Sequence, residues 1–174
     1  MIAEDDGRDN EVHAFASSAA KALTQRLRLM RAAWGPETEA MTVQALCTLT
    51  VPALAARRIG LDTRSLAADC VFSPSAGRIV LNLIMLACDC LPKGGTIVMM
   101  GGPADFFIRI DGPGAMWPAG LVPCLRDEAA ALAAIATVAS VQMPLTVLLA
   151  ISRGMRLSPV LGPAGVEALR LDGG

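Results

Sequence analysis

Few residues of this 174-residue chain could take part directly in chemistry. His13 is the one histidine, and an imidazole can carry a phosphoryl group or act as a general base when an acidic neighbour orients it. The residue after His13 is Ala14, and Glu11 lies two positions before it. Two interpretations of His13 therefore stay open: a phospho-acceptor, and a solvated residue beside an apolar helix face.

The other reactive residue types do not assemble into a site. A Ser/His/Asp or Cys/His group would have to use the same single histidine. The cysteines are odd in number and form no CxxC pair: Cys47, Cys70, Cys88, Cys90 and Cys124. Cys88 and Cys90 are two positions apart, so on a helix they face different sides, and no histidine lies nearby to complete a zinc site. We predict reduced, mostly buried thiols and no metal site.

Three basic residues could act by docking a partner. Lys21, Arg28 and Arg31 have a spacing compatible with one face of a helix. Such a face attracts an acidic protein surface, which speeds and orients association. The alternative is an ordinary solvated side of the helix. Lys21, Arg28 and Arg31 are therefore the candidate partner-docking residues.

The overall charge favours a protein or a small molecule as the partner. The net charge is -1 and the sequence pI is about 5.8, so no long-range basic field attracts nucleic acid or an anionic membrane. Residues 1–10 are acidic and lack the apolar segment of a secretory signal. Residues 129–152 carry no charge over a length that could cross a bilayer, but Pro144 and several polar residues favour two buried helices. We predict a cytoplasmic protein without a membrane span.

A long amphipathic helix is predicted to carry the histidine and the three cations. Residues 10–34 place apolar side chains at intervals of three and four along one stripe: Val12, Ala16, Ala19, Leu23, Leu27, Met30 and Trp34. Asp9 or Asn10 could cap the start of this helix, and Gly35-Pro36 should end it. Because an apolar stripe of this length would not stay in water, we expect it to pack on the rest of the domain or on a second copy of the chain.

The remaining sequence predicts helices packed on a mainly antiparallel sheet. Further helices are predicted at 37–58, 75–91, 126–137 and 140–153, with Ile79, Leu83, Leu86 and Cys90 facing inward and Gly154 as a left-handed cap. Strands are predicted at 59–62, 96–100, 106–110, 156–161 and 166–171. Pro52 is expected to break or kink the second helix. The fold class is therefore a two-layer α+β sandwich, with a docking helix at 1–35 and an α/β domain at 36–174.

Residues 78–97 resemble the N-box helix and following strand of histidine-kinase ATPase domains. That family has an Asn, a second Asn four residues later, and a Pro-x-Gly-Gly turn into a strand. Here the first Asn is Asn82, the second position is Leu86, and the turn is Pro92-Lys93-Gly94-Gly95. Both family positions share one helix face and would aim at the same magnesium and phosphate site. Leu86 cannot ligate Mg²⁺, which requires oxygen, so the metal site should be lost.

Two further boxes of that family are altered in this sequence. The run Asp111-Gly112-Pro113-Gly114 stands where the family has Asp-x-Gly-x-Gly, with the glycine spacing one residue short. Residues 139–144 replace the glycine-rich stretch whose backbone would hold phosphates. The resemblance therefore implies an ATPase-like fold that binds no ATP and no other cofactor. Asn82 would remain in a polar remnant of the pocket.

The conspicuous carboxylates and glycines near these boxes have simpler interpretations. Asp89 and Asp111 are interpreted as ordinary surface and turn residues. Gly94 and Gly95 are predicted to supply the positive φ that a tight turn needs, and not phosphate contacts.

This degenerate form resembles the ChpT-like histidine phosphotransferases of alphaproteobacterial phosphorelays. Three segments carry the resemblance: 19–35, with its Arg-Leu-x-x-x-Arg-x-Ala-aromatic-Gly ending; 81–95; and 141–157. Their order extends it over about residues 12–171. It implies a homodimer whose paired helices form a four-helix bundle, and a phosphorylatable His on the first helix of each hairpin. It also implies a response-regulator receiver domain as partner, whose acidic pocket Lys21, Arg28 and Arg31 would meet.

One family segment is missing from this sequence. The chain begins at what matches the second hairpin helix, without the His-Asp-x-x-Ser-Pro segment. We expect either a His-bearing helix encoded upstream of Met1 or a paralogue that does not carry phosphate in the usual way. Three functions stay open: a receiver-docking phosphotransferase, a non-catalytic regulatory binding module, and an ATPase or kinase with an unusual pocket.

Overall fold

Helices and strands alternate irregularly along the chain. The computed structural model describes residues 3–36, 39–67, 69–135, 141–163 and 165–173, with residues 3–11 described by their backbone alone. The described helices are α1 (Ala3–Trp34), α2 (Val43–Ala55), α3 (Pro74–Asp89), α4 (Leu121–Arg126), α5 (Glu128–Ile135) and α6 (Gln142–Ser152). The described strands are β1 (Met41–Thr42), β2 (Ile59–Leu66), β3 (Val71–Phe72), β4 (Gly95–Gly101), β5 (Asp105–Asp111), β6 (Arg156–Gly162) and β7 (Gly165–Asp172).

A five-stranded sheet in the order β2-β4-β5-β7-β6 forms one layer. Its neighbouring strands are antiparallel except β2 and β4, which are parallel. Parallel strands need a long crossover, and α3 lies in the connection between these two. Paired residues point to the same face, and one face is apolar and buried, with Ile97, Met99, Ile108 and Leu169 on it. The predicted two-layer α+β sandwich is confirmed, although the parallel pair was not predicted.

The helix α3 lies at the centre of the core. The Ser73 hydroxyl caps it by accepting a hydrogen bond from the Ala76 N–H at 3.2 Å, and Pro74 occupies its first turn. Most of its residues are buried, including the predicted inward-facing Ile79 and Leu83. A helix that is apolar on nearly all sides must be covered on all sides, and α1, α2, α6 and the sheet contact α3.

The helix α1 is longer than the sequence pattern indicates. It begins at Ala3, so the predicted cap at Asp9 or Asn10 is wrong. Acidic residues from Glu4 onward lie in its first turn, where negative charge favours the helix terminus. The helix ends at Trp34 as predicted, and the next N–H, that of Gly35, donates to the Arg31 carbonyl at 2.7 Å.

The second helix is shorter than predicted. The predicted helix 37–58 is observed as α2, because Thr42 caps it through its hydroxyl and Arg58 has a positive φ of 58° in the turn that follows. Glu37 and Thr38 lie outside the described residues. The helix continues through Pro52, which lies near its last turn and removes a single intrahelical hydrogen bond.

Three of the described elements were not predicted from the sequence. The helix α4 and the small β1-β3 ladder were missed, since each strand of that ladder has 2 residues. The predicted helices 126–137 and 140–153 are observed as α5 and α6, and residues 136–140 lie outside the described residues. Gly154 ends α6 with a φ of 68°, as predicted. None of the described helices is long and apolar enough to cross a membrane.

Candidate functional site

The exposed length of α1 is the first candidate surface. Every described side chain from residue 12 to residue 28 is exposed, and the helix first becomes buried at Leu29 and Ala33. At about 1.5 Å per residue, this exposed part extends about 25 Å beyond the contact with the rest of the chain. The helix therefore projects from the sandwich.

Apart from Trp34 at its C-terminal end, the apolar stripe of α1 is not covered by its own domain. Val12 is 65% exposed, Leu23 and Leu27 are each 60% exposed, and Met30 is 39% exposed. At about 100° per residue, the buried Leu29 and Ala33 lie about 100° around the helix from this stripe. Of the two expected partners of the stripe, the rest of the domain covers only its C-terminal end at Trp34, because Leu29 and Ala33 on a different side of α1 make the main contact.

The three candidate docking cations lie on the opposite flank of the stripe. Lys21, Arg28 and Arg31 are all exposed, at about 80–160° from the stripe on the side away from Leu29. His13 is also exposed and has the same angular position as Arg31, five helical turns earlier. The structure therefore brings His13 and the three cations to one side of α1.

The C-terminal end of α1 is fastened to α3 by hydrogen bonds. The last carbonyls of a helix lack intrahelical partners. The Ala33 carbonyl accepts from Arg78 Nε at 3.0 Å and from Asn82 Nδ2 at 2.9 Å. Arg78 Nη2 donates to the Trp34 carbonyl at 3.0 Å. A cation at this position also interacts favourably with the negative end of the helix dipole.

Asn82 joins this helix end to α6. Its Nδ2 also donates to the Arg78 carbonyl at 3.0 Å, and its Oδ1 accepts from Gln142 Nε2 at 3.0 Å. The Thr146 hydroxyl lies 3.2 Å from the same Gln142 nitrogen and donates to the Gln142 carbonyl at 2.6 Å. Asn82 and Thr146 are both fully buried. We call Arg78, Asn82, Gln142 and Thr146 the Asn82 cluster.

The residues at this position do not fit a magnesium nucleotide. Both amide hydrogens of Asn82 and its Oδ1 are engaged inside the protein. Leu86, which stands at the second family position, is 2% exposed and belongs to the hydrophobic core. Asp111 is exposed at the end of β5. No group of three or more acidic, cysteine or histidine side chains within the described ranges could hold a metal ion.

The cysteines and the turn after α3 have the structural roles predicted for them. Four of the five cysteines are buried, Cys47 is half-buried, and all five are free. Burial raises the pKa of Cys90 to about 12. Asp89 pairs with Arg57 at 2.8 Å on the surface. Gly94 and Gly95 have φ of 80° and 144°, which confirms the predicted turn.

A separate cleft of about 590 Å³ opens between β5, α4 and the β6-β7 hairpin. Arg109, Trp117 and Val166 are in its wall, whereas the α1 cations and the Asn82 cluster are not. The Trp117 Nε1 atom is buried and has no hydrogen-bond partner within the described part of the chain. The cleft therefore does not coincide with either candidate surface.

The residues of the Asn82 cluster other than Asn82 were not predicted as functional. Gln142 was noted within a resembling segment, but its contact with Asn82 joins positions far apart in the chain. Arg78 lies one helical turn before Asn82, at a spacing that places both on one face of α3. That spacing is the signal that could have pointed to Arg78.

Comparison with known proteins agrees with this description. The family model described as "Histidine phosphotransferase C-terminal domain" matches residues 53–164. A solved bacterial phosphotransferase aligns with a TM-score of 0.68 and 18% identity, over 97% of this chain and 82% of that chain. No curated protein sequence matches the chain.

Two histidine kinases align with lower scores. The cytoplasmic segment of QseC has a TM-score of 0.45 and 16% identity, over 90% of this chain and 92% of its own. AdeS of Acinetobacter baumannii has a TM-score of 0.46 and 10% identity, over 98% of this chain and 83% of its own. Since the family match spans more than half of its length, this chain belongs to the histidine phosphotransferase family, as the ChpT-like resemblance predicted.

Proposed function

We propose that this protein acts in a bacterial two-component phosphorelay by docking a response-regulator receiver domain on the basic side of α1, without bound ATP. Membership of the histidine phosphotransferase family supports the phosphorelay role. The observation that carries the docking surface is the exposed part of α1, with Lys21, Arg28 and Arg31 along one flank. A cytoplasmic location belongs to the same proposal.

The charge pattern supports a receiver as the partner. Lys21, Arg28 and Arg31 form no ion pair with any described residue, so their charges are available to an acidic surface. Complementary charges accelerate and orient association, and exposed cations impose little desolvation cost before contact. A net charge of -1 for the whole chain makes this local basic flank distinctive.

The exposed stripe supports a homodimer formed through α1. Large apolar side chains at Val12, Leu23 and Leu27 remain in contact with water. A contiguous apolar stripe of this kind marks an interaction surface. A second copy of the helix presents the same stripe and can cover it. We therefore divide the chain into a docking and dimerisation helix at 1–35 and an ATPase-like domain at 36–174.

Charge reversal on α1 tests the docking surface. We expect Lys21→Glu together with Arg28→Glu to weaken binding of a phosphorelay receiver domain by at least about 10-fold, because two attractive contacts become repulsive. The measurement is isothermal titration against each receiver domain encoded in the same genome. Lys93→Glu together with Arg126→Glu is the matched control, since it also reverses two exposed cations, one on the turn after α3 and one in the last turn of α4. Equal effects of both changes, or no binding to any receiver, would contradict the proposal.

Phosphoryl transfer distinguishes the phosphotransferase from a non-catalytic binding module. The chain is incubated with a receiver carrying ³²P on its aspartate, and label on the chain is followed with time. Label that appears and is lost in His13→Ala would identify His13 as the carrier. Receiver binding without any label on the chain would favour the regulatory binding module. His13 is exposed and has no partner among the described residues, so the structure is compatible with this alternative as well.

Titration with nucleotide tests the ATPase alternative. The engaged Asn82 amide and the buried Leu86 favour no affinity for magnesium nucleotides. We expect no heat change and no shift in thermal midpoint when ADP and Mg²⁺ are added to millimolar concentration. A saturable shift in the thermal midpoint that Asn82→Ala abolishes would support the ATPase or kinase alternative.

A further inference from the structure

The Asn82 cluster occupies the position at which the resembling ATPase fold would hold magnesium and phosphate. Its residues do not fit those ligands, as described above, yet a fully buried amide at 0% exposure is retained there. A buried polar group is costly unless it is hydrogen-bonded, and apolar residues of similar size would fill the same space. The three hydrogen bonds of this buried amide therefore decide what it contributes to the fold.

Two of the three hydrogen bonds of the Asn82 amide reach helices other than its own. The Nδ2 hydrogens go to the Ala33 carbonyl on α1 and the Arg78 carbonyl on α3, and Oδ1 accepts from Gln142 on α6. The opposite amide orientation would face an oxygen toward two carbonyls, so the surrounding groups select this one. Three helices are thus joined through one side chain.

Arg78 adds two directional contacts at the same helix end. Its Nε and Nη2 reach the Ala33 and Trp34 carbonyls, each at 3.0 Å. A planar guanidinium donates in a fixed fork, so the pair of hydrogen bonds defines an orientation as well as a contact. The apolar contacts of Leu29 and Ala33 lack this directionality.

We propose that the Asn82 cluster is a latch that fixes the direction in which α1 leaves the sandwich, with Asn82 and Arg78 as its positioning residues. The position at which the resembling fold would hold nucleotide thereby orients the surface that carries Lys21 and Arg28. The latch itself rests on observed hydrogen bonds, and its consequence for docking rests on the proposed function.

The length of α1 makes this direction important. The path from Ala33 to Val12 is about 30 Å at 1.5 Å per residue. A rotation of about 10° at the latch would move Val12 sideways by about 5 Å, a distance as large as the rise of one helical turn. Small angular freedom at the latch therefore becomes large positional freedom along the exposed face.

Asn82→Leu is the variant that tests the latch. Leucine has the same number of side-chain heavy atoms and the same branching as asparagine, and no partner is left wholly unsatisfied. The Ala33 carbonyl keeps Arg78 Nε at 3.0 Å, and Gln142 Nε2 keeps the Asn82 main-chain oxygen at 3.2 Å and the Thr146 hydroxyl at 3.2 Å. We expect the variant to fold.

Thr50→Val is the matched control. Thr50 is 1% exposed, and its hydroxyl donates at 2.7 Å to the Leu46 carbonyl within the same helix, α2. The change removes a buried hydrogen bond that joins no two elements. It should therefore lower stability without freeing α1.

The measurement is the distance between spin labels on Ser18→Cys and Lys93→Cys in a Cys47→Ala background. Pulsed electron resonance is recorded with excess unlabelled protein, so that only distances within one chain contribute. We expect a single narrow distance distribution for the parent and for Thr50→Val, and a distribution at least about twice as wide for Asn82→Leu. Arg78→Met should broaden it as well.

Two outcomes would overturn the latch. One is an unchanged distance distribution in both Asn82→Leu and Arg78→Met; the other is equal broadening in Thr50→Val. Because no receiver is present, neither outcome depends on the proposed function. If a receiver binds, Asn82→Leu should weaken binding about 3- to 10-fold, as expected when about 10–30% of molecules hold α1 in the docking direction. If charge reversal on α1 leaves receiver binding unchanged while Asn82→Leu broadens the distance distribution as expected, the docking surface is refuted and the latch is not.

Discussion

The helices α1 and α3 both carry large apolar side chains, yet those side chains have opposite environments. In α3 most side chains are buried, including Ile79, Leu83 and Leu86, whereas every described side chain of α1 before Leu29 is exposed. Burial of these side chains does not follow from their apolar type alone, although α1 also carries 10 charged residues among 32 and α3 only 2 among 16. Burial depends on whether other elements surround the helix, and only the last turns of α1 are surrounded.

The same truncation in the two helices should have different consequences. We expect Leu83→Ala to lower the free energy of unfolding by about 2–5 kcal/mol, because Leu83 is fully buried and its removal leaves a cavity. Leu23→Ala should change it by less than about 0.5 kcal/mol in the monomer, because Leu23 is already largely exposed. Urea denaturation at low protein concentration provides both values.

Self-association provides a second test of the difference between α1 and α3. If α1 pairs with a second copy, Leu23→Ala should weaken self-association in sedimentation experiments, while Leu83→Ala should not change it beyond its effect on folding. A loss of monomer stability in Leu23→Ala as large as that in Leu83→Ala would contradict the exposed position of α1.

The turn after α3 should tolerate substitution of its glycines nearly as poorly as α3 tolerates truncation of its buried side chains. A Cβ on Gly95, whose φ is 144°, would overlap the Asp111 carbonyl oxygen, so we expect Gly95→Ala to cost about 2–4 kcal/mol. Gly114 also has a positive φ, 75°, but a Cβ there would meet nothing within 4 Å. Gly114→Ala should cost only about 1–2 kcal/mol, from the left-handed backbone alone. Thermal unfolding of both variants provides the comparison.

Alkaline pH should slightly lower the free energy of unfolding through the buried Cys90 at the end of α3. Burial raises the pKa of Cys90 to about 12, above its ordinary value of 9.0, so the folded protein retains a proton that the unfolded chain loses. The stability contributed by the protonated thiol is therefore present below about pH 9 and declines as pH rises above it. We expect Cys90→Ala to flatten the fall in urea midpoint between pH 9 and about pH 11. An unchanged slope would assign the fall to other groups.

Local sequence patterns predicted most elements and their approximate limits. Ser73-Pro74 started α3, Gly35 ended α1 and Gly154 ended α6, because caps and breakers act through the backbone of their own segment. The start of α1 at Ala3 was missed because the acidic first residues support a helix without a defined cap. The helix α4 and the β1-β3 ladder were missed because they are too short for a periodic pattern.

The candidate site was also predicted only in its local features. The exposure of Lys21, Arg28 and Arg31 agrees with the helical spacing in the sequence. The partners of Asn82 could not be predicted, since Ala33 and Gln142 are separated from it by 49 and 60 positions. Which side of α1 contacts the domain was equally undetermined, because the side that does so carries Leu29 and Ala33 outside the apolar stripe.

The sequence by itself determined most of the helices and strands, the leucine at position 86 and the family to which the chain belongs. These depend on residue type and short spacing, which the chain carries locally. The tertiary structure decided that Asn82 binds the end of α1 and that the chain's own domain leaves most of the apolar stripe uncovered. Hydrogen bonds between distant segments and the covering of a helix face exist only once the chain has folded, so no local pattern could specify them.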